Sequence, residues 1–193
     1  MSSKAIVVTG LVLAASSAWA QVSTGPWTSY SPSYSIQERG CGDVNNLTFT
    51  LTCSTQNDER AERRYVTHGS GTWQFEGSFR ITSLSGTRIS LKQTFKDEPS
   101  AGPYWMMAVE NGGRLYAVHG GATIATGATV GTTVRLNTVH KVGTDHRAYI
   151  NGSLKHTYAS PSGNFYDKFG FYRTSSGRGP GTVVWSNIKF WKK

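Results

Sequence analysis

The chain has 193 residues and a formal net charge of +9, from 20 lysines and arginines against 11 aspartates and glutamates. This length suits one domain with a substantial core and leaves little room for two. A basic chain attracts polyanions, but this charge is spread out and forms no basic block typical of a nucleic-acid-binding tail.

The first 20 residues are typical of a secretory signal. Lys4 supplies the positive start, an apolar run extends from Ala5 to Ala15, and Ala18-Trp19-Ala20 gives an A-x-A cleavage site. The apolar run is too short to cross a bilayer as a helix. We expect residues 1–20 to be removed and residues 21–193 to form one domain. The protein would then be secreted, or periplasmic in a bacterial host.

The chain contains two cysteines, Cys41 and Cys53. In an oxidising compartment this pair favours a disulfide that closes a short loop near the N-terminus. No histidine lies at a suitable spacing from either cysteine, so the pair gives no zinc signature and no metal site is predicted.

Short alternating or apolar runs recur between Gly, Asn and Ser, and no stretch shows helical periodicity. The runs cover residues 47–51, 71–81, 87–95, 104–109, 114–119, 132–139, 146–150, 154–158, 167–173 and 183–190. Residues 110–113 and 151–152 are rich in Asn and Gly, which tolerate the positive φ of hairpin turns. The pattern predicts an all-β sandwich of antiparallel strands.

The first polar motif lies in the segment 60–68. If this segment is extended, Arg60, Glu62, Arg64 and His68 share one face of the strand. Arginine side chains bind carboxylates in a bidentate manner, and an acidic neighbour holds a guanidinium in place. A solvated charge cluster on a surface strand is the alternative.

The second motif is a polar residue within an apolar stripe. Gln93 is expected on the same face as Ile89, Leu91 and Phe95. Burying an amide without partners costs roughly 1–3 kcal/mol in proteins, so Gln93 should have specific partners. A structural hydrogen bond and a contact with a substrate carboxylate both satisfy this requirement.

The third motif is the run from residue 165 to residue 173. Strand alternation divides it into two faces, and Phe169 and Phe171 form the face that we expect in the core. The opposite face carries two phenols, an ammonium and a glycine, which belong to Tyr166, Lys168, Gly170 and Tyr172. A glycine in a strand often marks the close approach of a ligand. Such a polar, aromatic and cationic strip suits an anionic sugar.

The order R-x-E-x-R at 60–64, Gln93, and Y-x-K-x-G-x-Y at 166–172 resembles the motifs of the alginate-lyase-like polysaccharide lyases. Those motifs read R-(S/T)-E-L-R, Q-(I/V)-H and Y-F-K-x-G-x-Y, and the third is the most specific. The resemblance spans most of the mature chain. It implies a concanavalin-A-like β-jelly roll of two antiparallel sheets. It also implies an enzyme that cleaves a 1,4-linked polyuronate, alginate or glucuronan, by β-elimination.

The resemblance implies a role for each motif residue. Arg64 and Gln93 would stabilise the charge that develops at the substrate carboxylate. Tyr166 would donate a proton to the leaving oxygen, and would also act as the base if nearby cations lower its pKa. Contacts to neighbouring sugars are expected from Arg60, Lys168, Tyr172 and Trp105.

The expected partner is an acidic polysaccharide, bound by a monomer, rather than nucleic acid or a membrane. No cofactor is implied, and the sequence leaves open whether a structural calcium ion is bound.

The chain departs from the family in its second motif, which reads Gln93-Thr94-Phe95, so Phe95 replaces the histidine. That histidine commonly neutralises or deprotonates the sugar. His68 is the first candidate to replace it, because alternation puts it on the face of Arg64. His119 is the second.

Two other function classes fit parts of the sequence. A non-catalytic, lectin-like module of the same fold would use Trp73, Tyr104 and Trp105 as stacking platforms. A glycoside hydrolase on a related jelly roll would need two paired carboxylates, and Glu62 and Glu76 lie on separate predicted strands.

Overall fold

The computed structural model describes residues 22, 25–99, 101–175 and 177–193, so the predicted signal sequence and its cleavage site lie outside the described residues. The regular structure within the described ranges is all β, as predicted. The strands are β1 (Thr28–Tyr30), β2 (Tyr34–Arg39), β3 (Gly42–Asn45), β4 (Thr48–Leu51), β5 (Arg60–Tyr65), β6 (Thr72–Leu84), β7 (Arg88–Lys96), β8 (Pro103–Glu110), β9 (Leu115–Ala117), β10 (Thr123–Ala125), β11 (Thr133–Lys141), β12 (Asp145–Ile150), β13 (Ser153–Ala159), β14 (Phe165–Tyr172) and β15 (Gly181–Lys192). No described segment forms a helix that could span a membrane.

The strands form two antiparallel sheets that pack against each other. The site sheet has the order β10-β9-β8-β7-β14-β5-β2. The back sheet has the order β13-β12-β11-β6-β15-β4-β3, with β1 also paired to β15. Neighbouring strands are mostly distant in sequence, so long connections cross between the sheets, as in a jelly roll.

The core lies between the two sheets and is rich in aromatic rings. Phe169 and Phe171 of β14 are fully buried, as the alternation predicts. The ring of Phe169 lies 5.5 Å from that of Phe75 and 4.9 Å from that of Trp185, both of the back sheet. Burying a phenylalanine contributes roughly 1.5–3 kcal/mol, so these contacts fix the sheets against each other.

The predicted disulfide and turns are confirmed. Cys41 and Cys53 are bonded, with their Cα atoms 5.5 Å apart. Asn151 and Gly152 have φ values of 51° and 84° and connect β12 to β13. In the turn after β8, the Gly113 amide donates to the carbonyl of Glu110 at 2.9 Å.

A bulge in β14 explains its glycine. Phe169 lies opposite Lys92, but Tyr172 lies opposite Ser90, so β14 has one extra residue between them. Gly170 has a φ of 147°, which disfavours other residues, and a Cβ there would collide with the Ala61 carbonyl oxygen. The sequence suggested the close approach of a ligand, but the backbone of β5 makes this approach.

A second bulge changes the face of the apolar stripe in β7. Ser90 lies opposite Ala108, whereas Lys92 lies opposite Met107, so Leu91 is the extra residue. Ile89 and Leu91 therefore join the core. The predicted shared face of Gln93 with these two residues is wrong, because the bulge shifts the alternation by one position.

Candidate functional site

The three motifs meet on the face of the site sheet that points away from the core, which we call the site face. In the pairing of β14 with β5, Lys168 lies opposite Arg64, and Tyr172 lies opposite Arg60. In the pairing of β14 with β7, Lys168 also lies opposite Gln93. Residues directly opposite each other share a face, so the register assembles a continuous polar strip across three strands.

A buried carboxylate lies at the centre of the strip. Glu62 is 1% exposed; its Oε1 accepts a short hydrogen bond from the Gln93 amide, and its Oε2 lies 3.7 Å from the Lys168 ammonium. Burial raises the pKa of Glu62, while Lys168 and Arg60 oppose that rise. Burial likewise lowers the pKa of Lys168. Glu62 therefore holds the amide and the ammonium in place, which answers the question of what Gln93 binds.

Tyr166 lies at one end of the strip and contacts two other groups. Its ring stacks on Phe95, with centroids 5.1 Å apart and planes 4° apart. The Arg64 guanidinium lies 4.0 Å from the centroid of the same ring. Burial raises the pKa of Tyr166, and Arg64 opposes that rise. The pKa of Tyr166 is raised overall, whereas base catalysis would favour a lowered pKa. At neutral pH the phenol is protonated and suited to donating a proton.

The other end of the strip is organised by Asp58, which sequence reasoning missed. The Tyr172 hydroxyl donates to Asp58 Oδ1 at 2.6 Å, and Arg60 Nε donates to the Asp58 carbonyl at 3.1 Å. The Arg60 guanidinium also lies 5.2 Å from the centroid of the Tyr172 ring. Asp58 precedes β5 with a φ of 64°, and no sequence pattern marked it.

The structure does not bring His68 to the site face. Strand β5 ends at Tyr65, and the His68 backbone instead exchanges two hydrogen bonds with that of Phe165. The His68 ring follows Phe165 towards the interior, 4.9 Å from the Trp73 ring and 5.7 Å from the His140 ring. The prediction was wrong because it continued the alternation beyond the end of the strand.

Trp105 also lies on the wrong side of the sheet for its predicted role. It is 2% exposed, stacks on His146 at 4.5 Å and donates from Nε1 to His156 at 3.4 Å. A sugar on the site face could not reach this ring. Tyr104 likewise turns inward and contacts Phe165 and His140. Trp73 lies on β6 of the back sheet, so all three stacking platforms of a lectin-like module are missing from the site face.

His119, the second candidate base, lies in the turn after β9 and is exposed. In the site sheet β9 is three strands from β14. At about 4.8 Å per strand this places β9 roughly 14 Å from β14, too far for proton transfer at the position next to Tyr166.

No metal is assigned to the one cluster of possible ligands found among the described residues, Cys41, Cys53 and Glu59. Both cysteines are in the disulfide and offer no thiolate. Glu59 Oε1 already accepts hydrogen bonds from the backbone amides of Thr55 and Gln56.

No protein-family model and no curated protein sequence matches the chain. Solved structures do match it. Alginate lyase AlgAT5 of Polysaccharide Lyase family 7 has 21% identity and a TM-score of 0.61, with 81% of this chain and 85% of that chain covered. An alginate lyase from Pseudomonas aeruginosa has 20% identity and a TM-score of 0.62, with coverages of 85% and 88%. An alginate lyase from Corynebacterium sp. has 16% identity and a TM-score of 0.63, with coverages of 79% and 81%. At these identities the likeness establishes a shared fold and confirms the predicted jelly-roll sandwich.

Proposed function

We propose that the protein is a secreted polysaccharide lyase that cleaves a 1,4-linked polyuronate by β-elimination. The observation that carries this proposal is the cross-strand register that places Arg64, Gln93, Lys168 and Tyr166 together on one face of the site sheet. The matching structures are named as alginate lyases, which supports the same chemistry. The signal-like sequence of residues 1–20 supports secretion.

The cationic part of the strip fits the first half of the reaction. Removal of the C5 proton puts negative charge on a carbon next to a carboxylate, so the transition state needs cations aimed at that carboxylate. The Arg64 side chain is 38% exposed and can reach a ligand, and Lys168 lies opposite it on β14. Both cations already form ion pairs, Lys168 with Glu62 and Arg64 with Asp97 at 3.7 Å. Substrate binding therefore has to fix little further side-chain motion.

Tyr166 supplies the proton transfers. Because the pKa of Tyr166 is raised, the phenolate forms only as the pH becomes alkaline, and it then removes the C5 proton. The electron pair of the C5–H bond forms the C4–C5 double bond while the bond from C4 to the glycosidic oxygen breaks. The phenol then returns its proton to that leaving oxygen. Phe95 occupies the position opposite Tyr166, so no imidazole lies on the rung next to the phenol.

A non-catalytic polyuronate-binding module is the second candidate, and Phe95 in place of the family histidine favours it. A hydrolase does not fit. Glu62 lies on the site sheet, whereas Glu76 lies on the back sheet, where it accepts a hydrogen bond from Asn137 at 2.6 Å. Carboxylates on different sheets cannot flank one glycosidic bond.

Ultraviolet absorbance of the unsaturated product tests the proposal, with polymannuronate, polyguluronate and glucuronan as parallel substrates. We expect product from at least one polymer, and Tyr166→Phe should lower its turnover by about 10²–10⁴-fold. Tyr172→Phe, on the same strand and face, should raise KM more than it lowers kcat, because it loosens Arg60 and Asp58. Polymer binding without any double-bond formation would favour the module. Near-normal turnover in Tyr166→Phe would refute the mechanism.

A further inference from the structure

A second cleft opens at the edge of the sandwich, where β2 and β5 of the site sheet approach β1 and β15 of the back sheet. Its volume is about 470 Å³. It is lined by five aromatic rings and two cations, which belong to Tyr30, Tyr34, Tyr65, Phe190, Trp191, Arg63 and Lys189. None of the residues that line this aromatic cleft is acidic.

The cleft has a fixed wall and an accessible rim. The Arg63 guanidinium lies 4.2 Å from the centroid of the Tyr34 ring, and its Nη2 donates to the Asn46 carbonyl at 2.9 Å. The Tyr34 ring lies 5.5 Å from the Tyr65 ring, which packs on Phe190 at 4.6 Å. Tyr34 is 46% exposed, so one ring of this stack faces solvent. Rigid aromatic surfaces beside a cation bind ligands at a small entropic cost.

The aromatic cleft is continuous with the site face. A neighbouring cleft of about 430 Å³ shares Tyr34 and Tyr65 with it and is also lined by Arg64 and Ser35. Arg64 is the guanidinium that contacts Tyr166, and Ser35 lies opposite Arg64 in the pairing of β2 with β5. A polymer bound beside Tyr166 therefore has a lined path around the start of β2.

We propose that the aromatic cleft binds a distal sugar of the same acidic polysaccharide chain whose cleavage was assigned to the site face. The flat rings pack against the apolar face of a pyranose, and Arg63 and Lys189 attract its carboxylate. The identity of the ligand as a polyuronate rests on the proposed function. The cleft lengthens the bound segment and contributes affinity only to chains that are long enough to reach it.

The test compares chain lengths. Tryptophan fluorescence titration would measure the affinity of the full mature protein for polymannuronate, polyguluronate and glucuronan, each beside its own trisaccharide. Variants Tyr34→Ala and Lys189→Glu alter the rim of the cleft. Lys155→Glu makes the same charge change on β13, at the opposite edge of the back sheet, and serves as the matched control. Thermal unfolding of each variant checks that it is folded.

We expect Tyr34→Ala and Lys189→Glu each to weaken polymer binding by about tenfold, the effect typical of a well-placed contact residue, and trisaccharide binding by less than twofold. Lys155→Glu should change both affinities by the same small factor. Equal losses for polymer and trisaccharide, or unchanged polymer affinity, would overturn the proposal. If the wild-type protein shows this length dependence but forms no unsaturated product, the proposed lyase activity fails and the distal site stands.

Discussion

A buried ion pair lies directly behind the proposed site, and its removal gives the sharpest test of how the site is held. Lys92 of β7 is fully buried, and its ammonium makes a short hydrogen bond to Asp167 of β14. The same ammonium lies 3.2 Å from the Gln93 carbonyl oxygen and 3.5 Å from Thr94 Oγ1. Thr94 Oγ1 also donates to Asp167 at 2.7 Å.

The variant Asp167→Asn keeps the shape of the side chain and removes its charge. Lys92 would then be a buried ammonium without a counter-ion, and breaking a buried pair in this way costs roughly 3–5 kcal/mol. We expect the lower end of this range, because the Asp167 side chain is 15% exposed and two neutral acceptors remain near Lys92. In a protein of this size the melting temperature should fall by about 6–12 °C.

The double variant Lys92→Met with Asp167→Leu distinguishes the contribution of the ion pair to stability from that of side-chain packing. Replacing both charges by apolar groups of similar volume is often neutral or stabilising, so the double variant should lie within about 2 kcal/mol of the wild type. Urea unfolding at neutral pH measures all three free energies. Glu98→Gln, which breaks the exposed pair with Lys96, is the control and should cost about 0–1 kcal/mol.

Two results would refute this reasoning. A cost below about 1 kcal/mol for Asp167→Asn would mean that the ammonium is not dependent on its counter-ion. A double variant that loses as much free energy of unfolding as Asp167→Asn would mean that the two residues contribute through packing and not through their pairing.

Three further predictions follow from the described residues. Burial lowers the pKa of His140 to about 4 and also lowers that of His146, so both are neutral in the fold and bind protons first in the unfolded chain. Their contribution to the free energy of unfolding is therefore fully present above about pH 6.5 and decreases as the pH is lowered. His140 alone should lower this free energy by about 2 kcal/mol at pH 5, which unfolding titrations would measure. Phe95→His places an imidazole opposite Tyr166 and should raise kcat/KM near neutral pH, whereas the wild type should gain activity only as alkaline pH ionises the phenol; a pH profile of both separates the two cases. Removing the disulfide with Cys41→Ala and Cys53→Ala should cost about 3 kcal/mol by loop entropy, measured as a lower urea midpoint.

The site face could be predicted because the pairing of β5 with β14 keeps an unbroken register through both of their motifs. Period-two alternation in β5 and β14 correctly grouped Arg60 with Arg64 and Lys168 with Tyr172. Alternation also separated the site from Phe169 in the core. The resemblance of the motifs implied a common function for the three strands, but their pairing was not predicted, since alternation within one strand does not identify its neighbours.

The failed predictions occur where regularity ends. His68 was placed by extending β5 beyond Tyr65, and Ile89 and Leu91 by ignoring a bulge that leaves no local sequence signal. Lys92 and Asp167 were missed for a different reason. A charged residue in an alternating strand normally predicts solvent, and only the partner strand shows that the two charges meet in the core.

The distribution of the histidines bears on how the proposed lyase activity would proceed with Phe95 at the end of the second motif. The chain has five histidines, and the structure places three of them, His68, His140 and His146, in the interior. Burial lowers the pKa of each, so these rings are neutral, but they lie behind the sheet. His156 accepts a hydrogen bond from Trp105 on the core side, and His119 lies three strands away from β14. Proton transfer needs a heavy-atom contact of about 2.6–3.2 Å, so none of the five can act beside Tyr166 as the chain is folded. No other imidazole therefore takes the position that the motif histidine would have, and any elimination on this face depends on the phenol of Tyr166 and on the cations that surround it.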